Sequence, residues 1–218
     1  MTVVVTGAGG ALGPYVARTL DAAGHALVLV DRKPELLAGL PGQHVAVDLL
    51  DDAAVRAFAD GLDDVTGVVH LVGGWKGGKP LSEAPLDDWA LLHDLLVRTV
   101  QHVTRGFAPA LKAAGERGRF VLVSSKVAQA PTSTNAAYAA AKAAAEAWTL
   151  AYADELKESR GTANILVVNA IVTPEMREAS PDKPFRTFAD ARDMATAIAW
   201  LLSDAAAQMN GQRLPLLG

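Results

Sequence analysis

The most constraining feature of this chain is a set of short β-branched runs that are apolar on consecutive residues. Val3–Thr6, Ala26–Asp31, Val68–Val72, Phe120–Ser124 and Ile165–Ile171 read this way, with weaker runs at His44–Asp48 and Arg213–Leu216. A strand apolar on both sides is buried on both faces, and such sheets are mostly parallel with helices covering each face. The segments between supply those helices, at Gly13–Ala23, Asp52–Gly61, Leu86–Ala114, Asn135–Glu158 and Asp190–Ser203. Several carry recognisable ends: Asp51-Asp52 before Ala53, Gly24 after Ala23, Gly115 after Ala114, Gly161 after Arg160. Pro109 is expected to end or kink the third helix near Ala108. The alternation predicts a doubly wound α/β sheet.

Composition narrows the partners more than the fold. The 218 residues suit one domain over residues 1–218, on a scale of ~100–200 residues per domain. Half of them are apolar, which excludes disorder. A net charge of −4 gives no electrostatic reason to expect nucleic acid or an anionic membrane. The absence of cysteine removes disulfides, Cys-ligated zinc, Fe–S clusters and thiol nucleophiles. His25, His44, His70, His93 and His102 lack a companion at ligand spacing, so no metal is expected. No basic residue precedes Arg18, unlike a secretory signal. The apolar runs are shorter than the ~18–20 residues that cross a bilayer, and the cytoplasm is the expected compartment.

Thr6-Gly7-Ala8-Gly9-Gly10-Ala11-Leu12-Gly13 follows the first strand and opens a helix. Glycines here permit a tight turn, close approach of backbone to a pyrophosphate, and tight helix–strand packing. The helix N-terminus adds free N–H groups and partial positive charge. The spacing Gly7-x-x-Gly10-x-x-Gly13 differs from G-x-G-x-x-G, and a plain βα turn would explain it as well. Asp31, ending the second strand, supplies the acid that accepts the ribose hydroxyls of a dinucleotide. It would also repel a 2′-phosphate by ~4 kcal/mol per charge pair at about 4 Å and an effective dielectric of about 20. Arg32 could offset that repulsion or stack on adenine. NAD(H) is favoured as cofactor, and NADP(H) stays open. A second glycine-dense segment, Gly73–Gly78 with Trp75 and Lys76 inside, follows the fourth strand at the sheet edge where ligands bind.

Tyr138 and Lys142 are four apart in an Ala-rich helix and share a face, and Ser125 ends the fifth strand thirteen residues before Tyr138. Alone, Tyr-x-x-x-Lys fits equally a surface lysine near a buried tyrosine. Together with Thr6–Gly13, Asp31, Asp48-Leu49, Ser124-Ser125 and Asn210-Gly211-Gln212, it resembles the short-chain dehydrogenase/reductase family in order and spacing. The similarity spans essentially the whole chain, including Asp88-Trp89, Thr104-Arg105 and Trp200–Asp204.

The resemblance implies a Rossmann-type parallel sheet of about seven strands in the order 3-2-1-4-5-6-7. It implies hydride transfer between NAD(P)(H) and a small carbonyl/alcohol or conjugated C=N substrate. Tyr138 would be the general acid in reduction and the base in oxidation. A phenol ionises near pH ~10, so work near pH 7 needs ~4 kcal/mol of differential stabilisation of the phenolate. Lys142 would supply part of it and bond the nicotinamide ribose, while Ser125 would hold the substrate oxygen. Gly7, Gly10, Ala11, Leu12 and Gly13 would meet the pyrophosphate, and Asp48 and Leu49 the adenine. Val72, Gly73, Gly74, Val172 and Thr173 would line the rest of the cofactor, with Trp75 and Thr173 toward the substrate. The family commonly forms homodimers or homotetramers through two long helices, here around Leu86–Ala108 and Ala136–Glu158.

Three departures stand out. The glycine spacing and Val69-His70-Leu71-Val72-Gly73 are closer to the extended branch of the family. Leu96 stands where the family's catalytic Asn falls. The segment after Val168-Asn169-Ala170 is short, with Thr173-Pro174 arriving early, which predicts an open or shallow substrate pocket. The Gly73–Gly78 loop, the missing Asn and the compact Thr173–Phe185 segment are similar to dihydropteridine reductases, although Ser125 departs from that branch. A non-catalytic, dinucleotide-binding redox sensor is the rival from another class.

Overall fold

A seven-stranded parallel sheet forms the centre of the computed structural model, which describes residues 1–216. In chain order the first elements are β1 (Thr2–Thr6), α1 (Gly13–Ala22), β2 (Ala26–Asp31), β3 (Gln43–Ala46), α2 (Asp52–Asp60) and β4 (Val65–His70). Then come α3 (Asp87–His93), α4 (Thr99–Ala113), β5 (Arg119–Ser125), α5 (Ala136–Leu156) and β6 (Thr162–Val168). The chain finishes with β7 (Ala170–Val172), α6 (Pro174–Ala179), β8 (Phe188–Asp190), α7 (Ala191–Leu202) and β9 (Arg213–Pro215). The sheet order is β3-β2-β1-β4-β5-β6-β9, with every neighbouring pair parallel. This is the order expected from the sequence, β9 being the seventh strand of the sheet.

Continuous apolarity has the physical cause assigned to it. In β1, Val3 and Val5 enter a core with Val16 and Leu20 of α1 and Ile198 of α7. Val4 points the other way, into a core with Val55 of α2, Phe107 of α4 and Leu156 of α5. The helix starts follow from local chemistry: Asp51 accepts from Ala53 and Ala54 N–H, each at 3.0 Å, and Asp190 accepts from Arg192 N–H at 3.0 Å. Asn210-Gly211-Gln212 is a structural stitch. Asn210 Oδ1 accepts from Ala163 N–H at 2.9 Å, its Nδ2 donates to Ala153 carbonyl at 2.7 Å, and Gln212 N–H donates to Asn164 Oδ1 at 3.0 Å.

Several boundaries depart from expectation. The run Ile165–Ile171 is two strands: β6 ends at Val168, and β7 pairs with β8 in a separate two-stranded parallel sheet. Asn169, between them, donates from Nδ2 to Thr187 Oγ1 at 2.8 Å. Apolarity runs on because β7 is itself covered, with Val172 wholly buried. The fourth strand starts at Val65 and ends at His70, so Leu71 and Val72 leave the sheet after Leu71 N–H bonds Thr6 carbonyl at 2.9 Å. The third strand ends at Ala46, freeing Val47 and Asp48.

The helix expected over Leu86–Ala114 is α3, a five-residue π-helical stretch at Asp94–Arg98, and α4. Pro109 lies inside α4 and does not end it. Proline removes one N–H, but Pro109 and Arg105, whose carbonyl loses that donor, are both exposed, and buried Phe107 and Leu111 hold the helix to the sheet. Among the described residues, no helix is long and apolar enough to cross a membrane.

The tightest steric demand is at the start of α1. A Cβ at Gly13 would stand 1.9 Å from the carbonyl oxygen of Ala8, inside the backbone of the preceding turn. Gly13→Ala is therefore expected to destabilise the fold by ~1–3 kcal/mol, read as a fall of several degrees in thermal melting.

Candidate active site

The order of strand addition reverses at β1: the chain builds from β1 through β2 to β3, then returns to β4 on the other side, and the diverging crossovers open a crevice at the carboxyl edge. A cleft of about 580 Å³ lies there. Twelve of the residues expected to hold a dinucleotide line it: Gly7, Gly10, Ala11, Leu12, Gly13, Asp31, Arg32, Asp48, Leu49, Val72, Gly73 and Gly74. The floor is built by close backbone approach. Gly7 has φ +72°, and a Cβ on it would meet Val72 N at 2.8 Å. The N–H groups of Ala11 and Leu12 make no hydrogen bond among the described residues, and no acid occupies the first turn of α1. That leaves a helix N-terminus with free donors facing the cleft.

The two carboxylates are held by backbone. Asp31 accepts from Gly9 N–H and Lys33 N–H, both at 3.1 Å, and Asp48 accepts from Leu50 N–H at 3.0 Å. Free donors for phosphates, a glycine floor that no Cβ would permit, and an acid at the end of β2 together fit a dinucleotide.

Leu91, Asp94, Leu95, Thr99, Val123 and Ile171 also line the cleft, and sequence reasoning missed them. Leu91 ends up there through α3, and Asp94 and Leu95 through the π-helical stretch, which has no signature in residue spacing. Thr99 had a faint signal in His70, the one polar residue of the apolar run Val68–Val72. Leu96, at the position of the family's Asn, is buried with Leu92, Val97 and Ala141 and offers no polar atom.

Ser125, Tyr138 and Lys142 come together where β5 meets α5. Burial raises the Tyr138 phenol above its ordinary range, and the Ser125 hydroxyl nearby opposes the rise; Ser125 Oγ itself accepts from Val127 N–H at 3.5 Å. Lys142, one turn on, is 6% exposed and donates from Nζ to Val123 carbonyl at 3.0 Å. Burial pulls its pKa down to about 8, against the opposing charge of Glu146. The expected lowering of the phenol by Lys142 is thus not what this arrangement presents, since the ammonium rests on Val123.

Val172 and Thr173 lie outside the cleft lining. Val172 is buried in β7, and Thr173 caps α6 by accepting from Met176 N–H at 3.3 Å. The connection after β6 is folded: α6 is tied to α1 by Tyr15, whose hydroxyl lies 2.6 and 2.8 Å from the two carboxylate oxygens of Glu175. These hydrogen bonds, Tyr15 first and Thr173 next, hold Glu175 at a pKa of about 2. Trp75 is 62% exposed and its ring lies near Gly77 and Gly78, while Gly78 N–H donates to Thr134 carbonyl at 2.8 Å. Among the described residues no His/Asp/Glu cluster is placed to hold a metal ion.

The family described as enoyl-(acyl carrier protein) reductase matches residues 7–216. The chain is similar to an L-xylulose reductase of Bos taurus, 28% identical over 230 residues that cover 99% of this chain and 94% of the relative. It is similar to a 7alpha-hydroxysteroid dehydrogenase of Escherichia coli (strain K12), 27% identical over 99% of this chain and 92% of the relative. Among solved structures, a gluconate 5-dehydrogenase from Burkholderia cenocepacia J2315, in complex with NADP and tartrate, superposes with a TM-score of 0.86. It shares 26% identity over 99% of this chain and 92% of that one.

Beneath the cleft, His70 is 1% exposed. Its Nδ1 is 2.8 Å from Thr6 Oγ1 and its Nε2 is 3.2 Å from Thr99 Oγ1, so either ring tautomer finds a partner on each side. Burial first, and the charge of Lys142 second, push its pKa down to about 3. The folded chain thus refuses a proton that the unfolded chain binds below pH ~6.5. Stability is expected to fall by up to ~1.4 kcal/mol per pH unit as pH drops from about 6.5 toward 3. Denaturant unfolding across that range should show a shallower fall in His70→Asn.

Proposed function

The chain belongs to the short-chain dehydrogenase/reductase family and is an oxidoreductase, and from that premise we propose NAD(P)(H)-dependent hydride transfer to or from a small carbonyl/alcohol substrate. The observation that carries this reading is the placement of Ser125 at the end of β5, with Tyr138 and buried Lys142 one helical turn apart on α5 and Lys142 bonded to Val123 of that same strand, a residue of the cleft lining. Relatives named as a reductase of L-xylulose and a dehydrogenase of a 7alpha-hydroxysteroid support the substrate class.

The bound dinucleotide supplies or accepts the hydride at its nicotinamide. Gly7, Gly10 and Gly13 allow its phosphates to approach the backbone, and the free N–H groups of Ala11 and Leu12 bind them. Asp31 accepts from the adenosine ribose, and Asp48 and Leu49 flank the adenine. Ser125 donates a hydrogen bond to the substrate oxygen and fixes it beside Tyr138. Tyr138 gives its proton to that oxygen in reduction and takes it back in oxidation. Lys142⁺ lowers the cost of the phenolate once its ammonium swings from Val123 toward the ribose. Leu96 contributes no group to a proton relay. Self-association through the outer faces of α4 and α5 belongs to the same reading.

A panel of ketones, quinones and a quinonoid dihydropterin, the last prompted by Leu96 and the Trp75 loop, tests the chemistry by consumption of NADH and NADPH. Tyr138→Phe is expected to lower kcat by ~10²–10⁴-fold on any active substrate. Equal rates in both proteins would overturn the role given to Tyr138, and no turnover anywhere in the panel would leave a dinucleotide-binding sensor as the better reading. Calorimetric titration is expected to give NADH at least tenfold tighter than NADPH, ~1.4 kcal/mol, because the Asp31 carboxylate would repel a 2′-phosphate. Equal affinities would mean that Arg32 cancels the repulsion.

A further inference from the structure

One buried charge in the site has no part in the chemistry above. Glu146 is 1% exposed on α5, one turn beyond Lys142. Its Oε1 accepts from Ser124 Oγ at 2.7 Å; its Oε2 accepts from Arg213 Nε at 2.6 Å and from Gln129 Nε2 at 3.4 Å. Burying a carboxylate is costly unless donors surround it, and an apolar side chain of similar size would often be no less stable there. Lys142 apart, its nearest neighbours on the buried stripe of α5 are Ala145 and Thr149, both small and uncharged.

The donors come from three places: the end of β5, the turn that follows it, and β9. Lys142 holds the Val123 carbonyl and Glu146 holds the Ser124 hydroxyl. Two residues one turn apart on one helix thus grip two consecutive residues of the strand end, those immediately before Ser125.

We propose that Glu146 is a positioning residue, a buried carboxylate one helical turn from Lys142 that balances its charge and locks the end of β5 against α5, with Arg213 clamping it from β9. The proposal rests on the dinucleotide-dependent reading above. The charged surroundings leave this role to Glu146. His70 of β4 faces Lys142 but is neutral, and Tyr138 is neutral. Asp94 of the π-helical stretch pairs with Arg98, Lys126 after β5 is exposed, and Arg213 is spent on Glu146. Of the charged groups on the elements around α5, Glu146 is the one that acts on Lys142.

The test follows NADH binding by fluorescence titration of the full chain from about pH 6 to pH 10. The variants are Glu146→Gln, which keeps the hydrogen bond to Ser124 but not the charge, and Glu146→Asp, which keeps the charge. Wild type should lose affinity as Lys142 gives up its proton near pH 8. Glu146→Gln should lose it about one pH unit earlier, binding about fivefold weaker at pH 8 and equally at pH 6, and Glu146→Asp should return toward wild type. Coincident curves for wild type and Glu146→Gln overturn the inference. So does a flat wild-type curve, or an equal loss at every pH together with a lowered melting temperature, which marks a purely structural residue. Failure of wild type to bind NADH or NADPH at any pH overturns the dinucleotide reading itself, so the two failures are told apart.

Discussion

Burial of the sheet on both faces is the constraint on which everything else depends. Parallel strands covered on each side must be joined by crossover helices, and every crossover leaves from the same edge of the sheet. The exits of β1, β2, β3, β4 and β5 therefore gather on one side, and the reversal of strand order between β1 and β4 opens a crevice among them. No residue has to be brought from far away. Gly7, Asp31, Asp48 and Gly73 reach the cleft because each lies at or just past the end of its own strand.

How much of this was legible in the sequence differs between cleft and lid for physical reasons. Strand exits announce themselves, because apolar burial stops abruptly at a glycine or an acid, as at Thr6-Gly7 and Val30-Asp31. Tyr138 and Lys142 were readable because helical spacing alone puts them on one face. Where burial continues across a break, the pattern is blind: Val168 and Ile171 look like one strand, yet the chain changes sheets at Asn169. Pro109 misled for the opposite reason. Its local rule is sound, but the helix runs along solvent there and water can take up the freed carbonyl. The α6 turn, held by Thr173 and by Tyr15 from another helix, depends on a contact between residues 160 positions apart, which no local window contains.

Polar groups in the interior divide into two kinds. Asn164 and Asn210 satisfy backbone at the edge of β6 and do the work of strand partners. His70 and Glu146 instead lie beneath the cleft, on either side of Lys142, one neutral and one surrounded by donors. In a low-dielectric interior such groups set the electrostatic background of the only buried ammonium among the described residues.

The π-helical stretch at Asp94–Arg98 has a consequence for how this chain tolerates insertions and deletions. A π turn holds one residue more than the α-helical path requires, and one residue corresponds to about 100° of rotation around a helix axis. α3 and α4 are thus out of phase with each other, as two gears offset by one tooth. Losing a single residue between them would heal the backbone hydrogen bonding yet turn α3 relative to α4, carrying Leu92 away from Ala141 and Leu91 away from the cleft. At this point in the chain, the count of residues is as much a structural specification as their identity.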